Sequence, residues 1–296
     1  MNMLRTELQN THWAKRGTRL HILVDPSLGD PFQDLSSRKV PLPIVHAGLR
    51  SAQRPYLIQS RLQGEPFDPS VELAAREAER LRDDVPGARA LCGWLFTSES
   101  TDKLASHLAR QALLPTPDGE RLLRYWDPRV MDLMSSMLSA EQARELLGPL
   151  HAWYWLARDA SLSALNEPSQ IRCQQTQWAL RLSDEQTHIL QLAPDVNRTL
   201  DILQDAGHDM REVAPLQLAR CILQGRSTWG LSTEQEHVAY ALHCVLAHEY
   251  FDQIPEVHEA MTTQVRKGHS AIKALDQFND AYWKNVADSQ GRTVKS

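Results

Sequence analysis

The 296-residue sequence has little cysteine, and the four it has, Cys92, Cys173, Cys221 and Cys244, stand far apart with no CxxC pair. A disulfide framework is not expected at this length, and reduced thiols in a cytosolic protein are the simpler reading. Long apolar runs are missing as well. The longest mainly apolar stretch, Val238 to Ala247, contains His243, and it falls well short of the about 20 residues that a transmembrane helix needs. The opening segment MNMLRTELQNTHWAKRG has no apolar core of signal-peptide length. A basic excess is also absent: 32 Lys and Arg face 37 Asp and Glu, a net charge of −5. General nucleic-acid binders usually carry the opposite balance. These absences argue against a secreted, membrane-spanning or fibrous protein. They leave enzymes and binding proteins open.

What is present looks like an ordinary globular chain, 42% hydrophobic and 23% charged. Its length suits one large domain or two lobes. Charge changes near residue 160. Residues 1–160 hold 20 basic and 20 acidic residues, and 161–296 hold 12 and 17, so the second part carries the whole excess. The expected division is therefore 1–160 and 161–296. The first part mixes short apolar runs with helical spacing. Arg19–Val24, Pro55–Ser60, Ala90–Thr97 and Leu122–Trp126 are bounded by turn residues and too short for helices, so they read as strands. Trp153, Tyr154 and Trp155 suit a fifth strand, although a helix fits too. Pro69–Asp84, Thr101–Leu114 and Pro128–Leu138 have helical spacing. Pro115–Gly119 reads as a turn. The expected fold is an α/β (α+β) N-terminal lobe with a small mixed sheet, followed by an all-helical C-terminal lobe.

The helical part repeats the form LSxEQ at Leu138–Gln142, Leu182–Gln186 and Leu231–Gln235. The flanking sequences do not match, which argues against a solenoid. Capping explains the form better. Serine at the N-cap and glutamine three residues on make a capping box, with glutamate near the positive helix end. Ser139, Ser183 and Ser232 are thus expected to mark helix starts. After Ser232 the apolar stripe Val238, Ala241, Leu242, Val245, Leu246 and Tyr250 reads as core-facing. Pro255 is expected to end that helix. The tail from Lys267 again has helical spacing through Ile272, Leu275, Phe278 and Tyr282.

Few residues suggest chemistry. His237, Cys244 and His248 lie near one helical face, but a structural zinc site needs four ligands and usually a short-spaced pair. No HExxH, GxxxxGK(S/T), GxGxxG or GxSxG occurs. Asp25, Asp127 and Asp132 could serve as carboxylate partners, yet aspartate at a strand end usually caps or turns the backbone. Trp94, Trp126, Trp153 and Trp155 could stack on bases or sugars, but aromatics on strands are more often core. Arg76, Arg80 and Arg82, mixed with Glu72, Glu77 and Glu79, read as a solvated helix face. Catalytic, cofactor and metal residues are therefore assigned to none.

Residues 101–155 hold a helix with His107, Leu108 and Arg110, an Asp118-Gly119 turn, the run Tyr125-Trp126-Asp127-Pro128-Arg129, and Gly148-Pro149 ahead of Trp153 and Trp155. In this they resemble the type VI secretion effector chaperones, or adaptors, whose shared domain is labelled domain of unknown function 4123. His107, Leu108 and Arg110 match a helical step of that family. Asp118 and Gly119 match its Asp-Gly turn. Tyr125, Trp126, Asp127, Pro128 and Arg129 match its aromatic-Asp-Pro-Arg motif, and Gly148, Pro149, Trp153 and Trp155 match its closing segment. Upstream, HILVDPSLGD is similar to the family's opening strand, with Asp25 in place but Pro26 where glycine is usual. RPYLIQ is similar to a second strand. The segment GLSTEQEHVAYALHCVLAHEYFDQIPEV is a weaker match to the usual C-terminal lobe.

The resemblance implies a non-catalytic cytosolic adaptor that loads a secreted effector onto the valine-glycine-repeat spike protein (VgrG), directly or through a PAAR-type tip. It implies no nucleic-acid partner and no stable membrane insertion. The motif residues Asp25, Asp118, Gly119, Asp127, Pro128 and Arg129 are read as architectural: Asp127 can cap a helix that Pro128 begins, and Arg129 can pair with a carboxylate. The partner-binding surface is left unassigned; a cleft between lobes or an exposed strand edge would suit an extended or helical segment. A version in which the chain shields membrane-inserting segments of its cargo requires a large apolar groove. Two other classes compete. One is a hydrolase-like enzyme whose His and Asp residues meet only in the fold. The other is a nucleic-acid module using Arg50, Arg54, Arg61 and the tryptophans.

Overall fold

The computed structural model describes residues 6–8, 17–79, 89–116, 119–166 and 179–291. The chain divides into two compact units, residues 1–183 and 184–296. The division falls beyond the change in charge at 160, because a strand that charge counting does not reveal still belongs to the first unit.

The first unit is built on a six-stranded sheet. Its strands are β1 (Arg19–Val24), β2 (Lys39–Pro41), β3 (Tyr56–Ser60), β4 (Leu91–Thr97), β7 (Leu150–Leu156) and β8 (Leu162–Asn166), in the order β2-β3-β1-β4-β7-β8. Every neighbouring pair is antiparallel, so the sheet is not mixed. The connections explain this: β7 returns through the short Ala157–Ser161 turn directly into β8, and antiparallel strands need no helical crossover. Four of the expected strands are present. β2 and β8 are additions, one of three residues and one whose apolar residues are interrupted by Ser163 and Asn166.

Helices cover both faces. Helix α1 (Phe67–Ala78) packs Phe67, Val71, Ala74 and Ala78 against Leu20, Ile22, Val24, Ile58, Trp94, Phe96 and Tyr154. The alternate residues Leu23, Leu57, Leu95 and Trp153 point to the opposite face and are also fully buried. There α2 (Thr101–Gln111) lies on β2 and β3, and α4 (Ala140–Leu147) on β7 and β8, with α3 (Pro128–Ser135) before it. Burial on both sides is why β1 and β4 read as near-continuous apolar runs.

A separate hairpin pairs β5 (Leu113–Thr116) with β6 (Gly119–Leu122). The expected strand at Leu122–Trp126 is therefore displaced. The strand ends at Leu122, and Tyr125 and Trp126 turn inward to bury their rings, which takes their backbone out of any ladder.

The second unit is helical: α5 (Asp184–Gln191), α6 (Ala193–Asp205), α7 (Pro215–Trp229), α8 (Glu234–Leu246), α9 (Pro255–Arg266) and α10 (Asp280–Gly291), with a 3-10 segment at Ala271–Gln277. Pro255 opens α9 at its first position instead of ending α8, where a missing N–H costs nothing. The core side of α8 is also rotated from the expected stripe. Val238 and Ala241 of that stripe are buried, together with His237, Tyr240 and Cys244, while Leu246 and Tyr250 are 47% and 44% exposed. Val238 and Leu242 also line a cavity of about 690 Å³ with Ile202 and Arg198 of α6.

Two of the three LSxEQ segments can be compared atom by atom. Ser139 accepts from Gln142 N–H at 3.2 Å, and the Gln142 side chain answers the Ser139 N–H at 2.9 Å, a complete capping box. At the third, the cap moves by one residue. Thr233 accepts from Glu236 N–H, and the Glu236 carboxylate accepts from both Ser232 and Thr233 N–H at 2.9 Å. A charged acceptor binds two orphan donors more strongly than Gln235 could, so Thr233 displaces Ser232. Helix α5 begins directly after Ser183.

Candidate functional site

The residues of the family-like pattern converge at one end of the sheet, where β1 ends, β4 begins and α3 starts. Asp25 caps the 3-10 turn Pro26–Leu28 by accepting from Ser27 N–H at 2.9 Å. Pro26 fits there because it occupies the first position of that turn. The second carboxylate oxygen accepts from Trp126 Nε1 at 2.7 Å and from Arg124 Nη2 at 2.6 Å. One aspartate thus ties the end of β1 to the segment entering α3.

Asp127 caps α3, accepting from Arg129 N–H at 2.9 Å, and Pro128 takes the first helical position. The Arg129 guanidinium closes back on the same carboxylate through Nε at 3.0 Å and Nη2 at 2.7 Å. Burial alone would raise the Asp127 carboxyl; the Arg129 bonds and charge outweigh it and hold it below the ordinary range. Gly119 begins β6 with φ +120°, a backbone region that side chains rarely adopt. Asp118 lies outside the described residues.

The remaining motif residues lock onto one another. His107 Nε2–H donates to the Leu146 carbonyl, 2.9 Å away, and Tyr125 OH donates to the Leu108 carbonyl at 2.7 Å. Gly148 has φ +52°, and a β-carbon there would stand 2.2 Å from His107 Cε1. Glycine at 148 is therefore required by the imidazole of α2. Burial lowers the His107 pKa, favouring the neutral ring. Arg110 is exposed on the outer side of that helix.

Four more ionisable side chains surround this end. Glu77, expected on a solvated face, is 1% exposed, and its two oxygens accept from the N–H groups of Ala90 and Leu91 at 2.9 and 3.0 Å. It holds the entry to β4. Arg89 and Arg158 are also buried. Burial, then the nearby Arg158 and Arg129 guanidiniums, push Arg89 down to about 10, against the pull of Glu77 and Asp127. Asp132 accepts from Trp155 Nε1 at 2.6 Å, and burial pushes its carboxyl up to about 6. The helical spacing of Glu77 with Val71, Ala74 and Ala78 is the one signal that sets it on the inward stripe, against the expectation of a solvated face. Nothing in the local sequence marked Arg89 or Arg158.

The four tryptophans weighed as a stacking platform are core. Trp94, Trp126, Trp153 and Trp155 are at most 1% exposed. Their indole N–H groups reach Ser70 Oγ, Asp25 Oδ2, the Cys92 carbonyl and Asp132 Oδ1. They offer no ring face to a base or sugar.

The helical unit holds the nearest thing to a His–Asp pair. His237 Nδ1 lies 2.7 Å from Asp195 Oδ2, but Nε2 faces the Leu231 carbonyl at 3.3 Å instead of a hydroxyl or thiol. The three residues weighed as metal ligands take different partners. His237 binds Asp195, Cys244 shares a hydrogen bond with Cys221, and His248 Nδ1 accepts from Tyr250 N–H. Among the described residues, no group of three or more His, Cys, Asp or Glu is placed to hold a metal ion, and Cys92, Cys221 and Cys244 are buried free thiols. Cys173 lies outside the described residues. No described helix is long and apolar enough to cross a membrane.

The arrangement is chemically one of mutual satisfaction. Asp25, Asp127, Glu77 and Asp132 each spend their oxygens on backbone, indole or guanidinium donors, and none of these bonds points to an open nucleophile. No curated protein and no solved structure shows significant similarity to the chain. A family model described as domain of unknown function (DUF4123) matches residues 51–145, the stretch running from before β3 through most of α4.

Proposed function

We propose that the protein is an adaptor, or chaperone, for type VI secretion. It binds a secreted effector in the cytosol and presents it to the VgrG spike, directly or through a PAAR-type tip, without catalysing a reaction. The observation that carries this reading is the match of DUF4123 to residues 51–145, a domain generally associated with such chaperones. The geometry is compatible with it. The motif residues serve as caps and clamps, which leaves binding to surfaces outside the motif, as recognition by an adaptor requires.

The test is co-expression of the chain with the effector and spike encoded beside it. Effector solubility and recovery of effector on the tagged spike are read with and without this chain. The proposal expects both to fall sharply in its absence. An effector that is equally soluble and equally spike-bound without it overturns the assignment.

A further inference from the structure

The two edges of the six-stranded sheet differ in kind. The β2 edge is short and guarded, with Lys39 and Pro41 in the strand and Pro43 just beyond. Charges and prolines of this sort block the addition of another strand. The β8 edge, Leu-Ser-Ala-Leu-Asn, has neither charge nor proline.

The hydrogen-bond alternation tells which groups face outward. Ala157 N–H donates to the Ser161 carbonyl at 3.0 Å, so that opposed pair is the bonded type. The register Trp155↔Ser163 and Trp153↔Leu165 continues it. The intervening residues Leu162, Ala164 and Asn166 must then direct both N–H and C=O away from β7. Ala164 and Asn166 are solvent-exposed. Among the described residues, no further strand pairs with β8 in the sheet.

We propose that this edge pairs with the β8 edge of a second copy of the chain. The outward set is symmetric about Ala164. Antiparallel addition across a two-fold axis places Ala164 against its own mate and Leu162 against Asn166 of the other copy, with two main-chain bonds at each opposed pair. Self-pairing across a two-fold sets central residues against their own kind, so a charged strand would oppose like charges. This strand carries none, and its central residue is small. The result is a continuous twelve-stranded sheet, twice the six strands of one copy.

The test is light scattering of the full chain on a sizing column, comparing wild type with Ala164→Pro and Ala164→Lys. The first removes the central outward N–H, a group β7 does not use. The second opposes two ammonium groups at the axis. Wild type is expected at twice 33.6 kDa, and both variants at the single mass with unchanged circular dichroism and melting. Should proline perturb folding, the lysine variant still decides. A wild type that stays monomeric at high concentration, or variants that remain dimeric, overturns the proposal. A monomer whose Leu162, Ala164 and Asn166 amides gain exchange protection only on adding an effector also overturns it, and assigns the edge to that partner.

Discussion

Replacing Asp25 by alanine tests whether the convergence of the motif has the energetic weight its geometry suggests. The substitution deletes three accepted bonds. Trp126 is fully buried, and its indole N–H, 2.7 Å from Oδ2, is left without an acceptor; an unsatisfied buried donor costs about 1–3 kcal/mol. The Ser27 N–H loses its cap, worth about 1 kcal/mol. The Arg124 side chain is 47% exposed, so that ion pair adds at most about 1 kcal/mol. Together the loss is about 2–5 kcal/mol, with coupling among neighbours as the main source of spread. Asp25→Asn keeps the volume and one carbonyl oxygen, so it should cost about half as much. Native-state hydrogen exchange on the β1 and β4 amides reads the opening free energy of the unit that holds Asp25. A loss below about 1 kcal/mol for alanine, or equal losses for alanine and asparagine, would show that Asp25 is not the clamp described.

Other outcomes follow from the same geometry. Gly148→Ala should destabilise the first unit by at least about 2 kcal/mol, through a positive φ and the clash with His107; adding His107→Ala should recover part of that loss in a thermal melt, and strict additivity would contradict the contact. Asp132 has its carboxyl raised by burial from 3.8 to about 6. Its stabilising contribution is therefore complete below the lower value and lost as pH rises through the upper one. Asp132→Asn should gain on wild type by about 2 kcal/mol between about pH 4 and about pH 7 in urea titrations, and parallel pH profiles would refute this. In the helical unit, the Ser270 hydroxyl and then the Ser232 and Thr233 donors hold Glu236 at about 2. Its contribution is present above the ordinary glutamate value of 4.5 and is lost as pH falls through about 2. Glu236→Ala should loosen the first turn of α8 by about 1 kcal/mol in amide exchange, whereas Gln235→Ala should do little.

Much of this architecture was legible because single short-range causes decide it. β1, β3 and β4 are apolar runs between turn residues, and the Asp127–Pro128 start of α3 is a local cap. Where two local solutions compete, reading failed by small steps. Ser232 and Thr233 both offer a hydroxyl, and the charge on Glu236 chooses between them. β8 is hard to read because Leu162, Ala164 and Leu165 form neither a continuous apolar run nor a strict alternation; its partner β7 defines it. Pro255 was misassigned because proline both ends and begins helices, and only the 3-10 segment Phe251–Gln253 ahead of it shows which. The charges at the sheet end were half legible. Asp25 and Asp127 sit beside turns, but Arg89 and Arg158 are brought together only by the antiparallel return of β7 beside β4.

The contact between His107 and Gly148 has a consequence for comparing relatives of this chain. One side chain occupies the space another position would need, so the two sites cannot vary independently. Wherever position 148 acquires a side chain, position 107 should carry something much smaller than imidazole, and the pair should drift together through a lineage. A set of homologues can therefore test the packing by correlated substitution alone, without any measurement on the molecule itself.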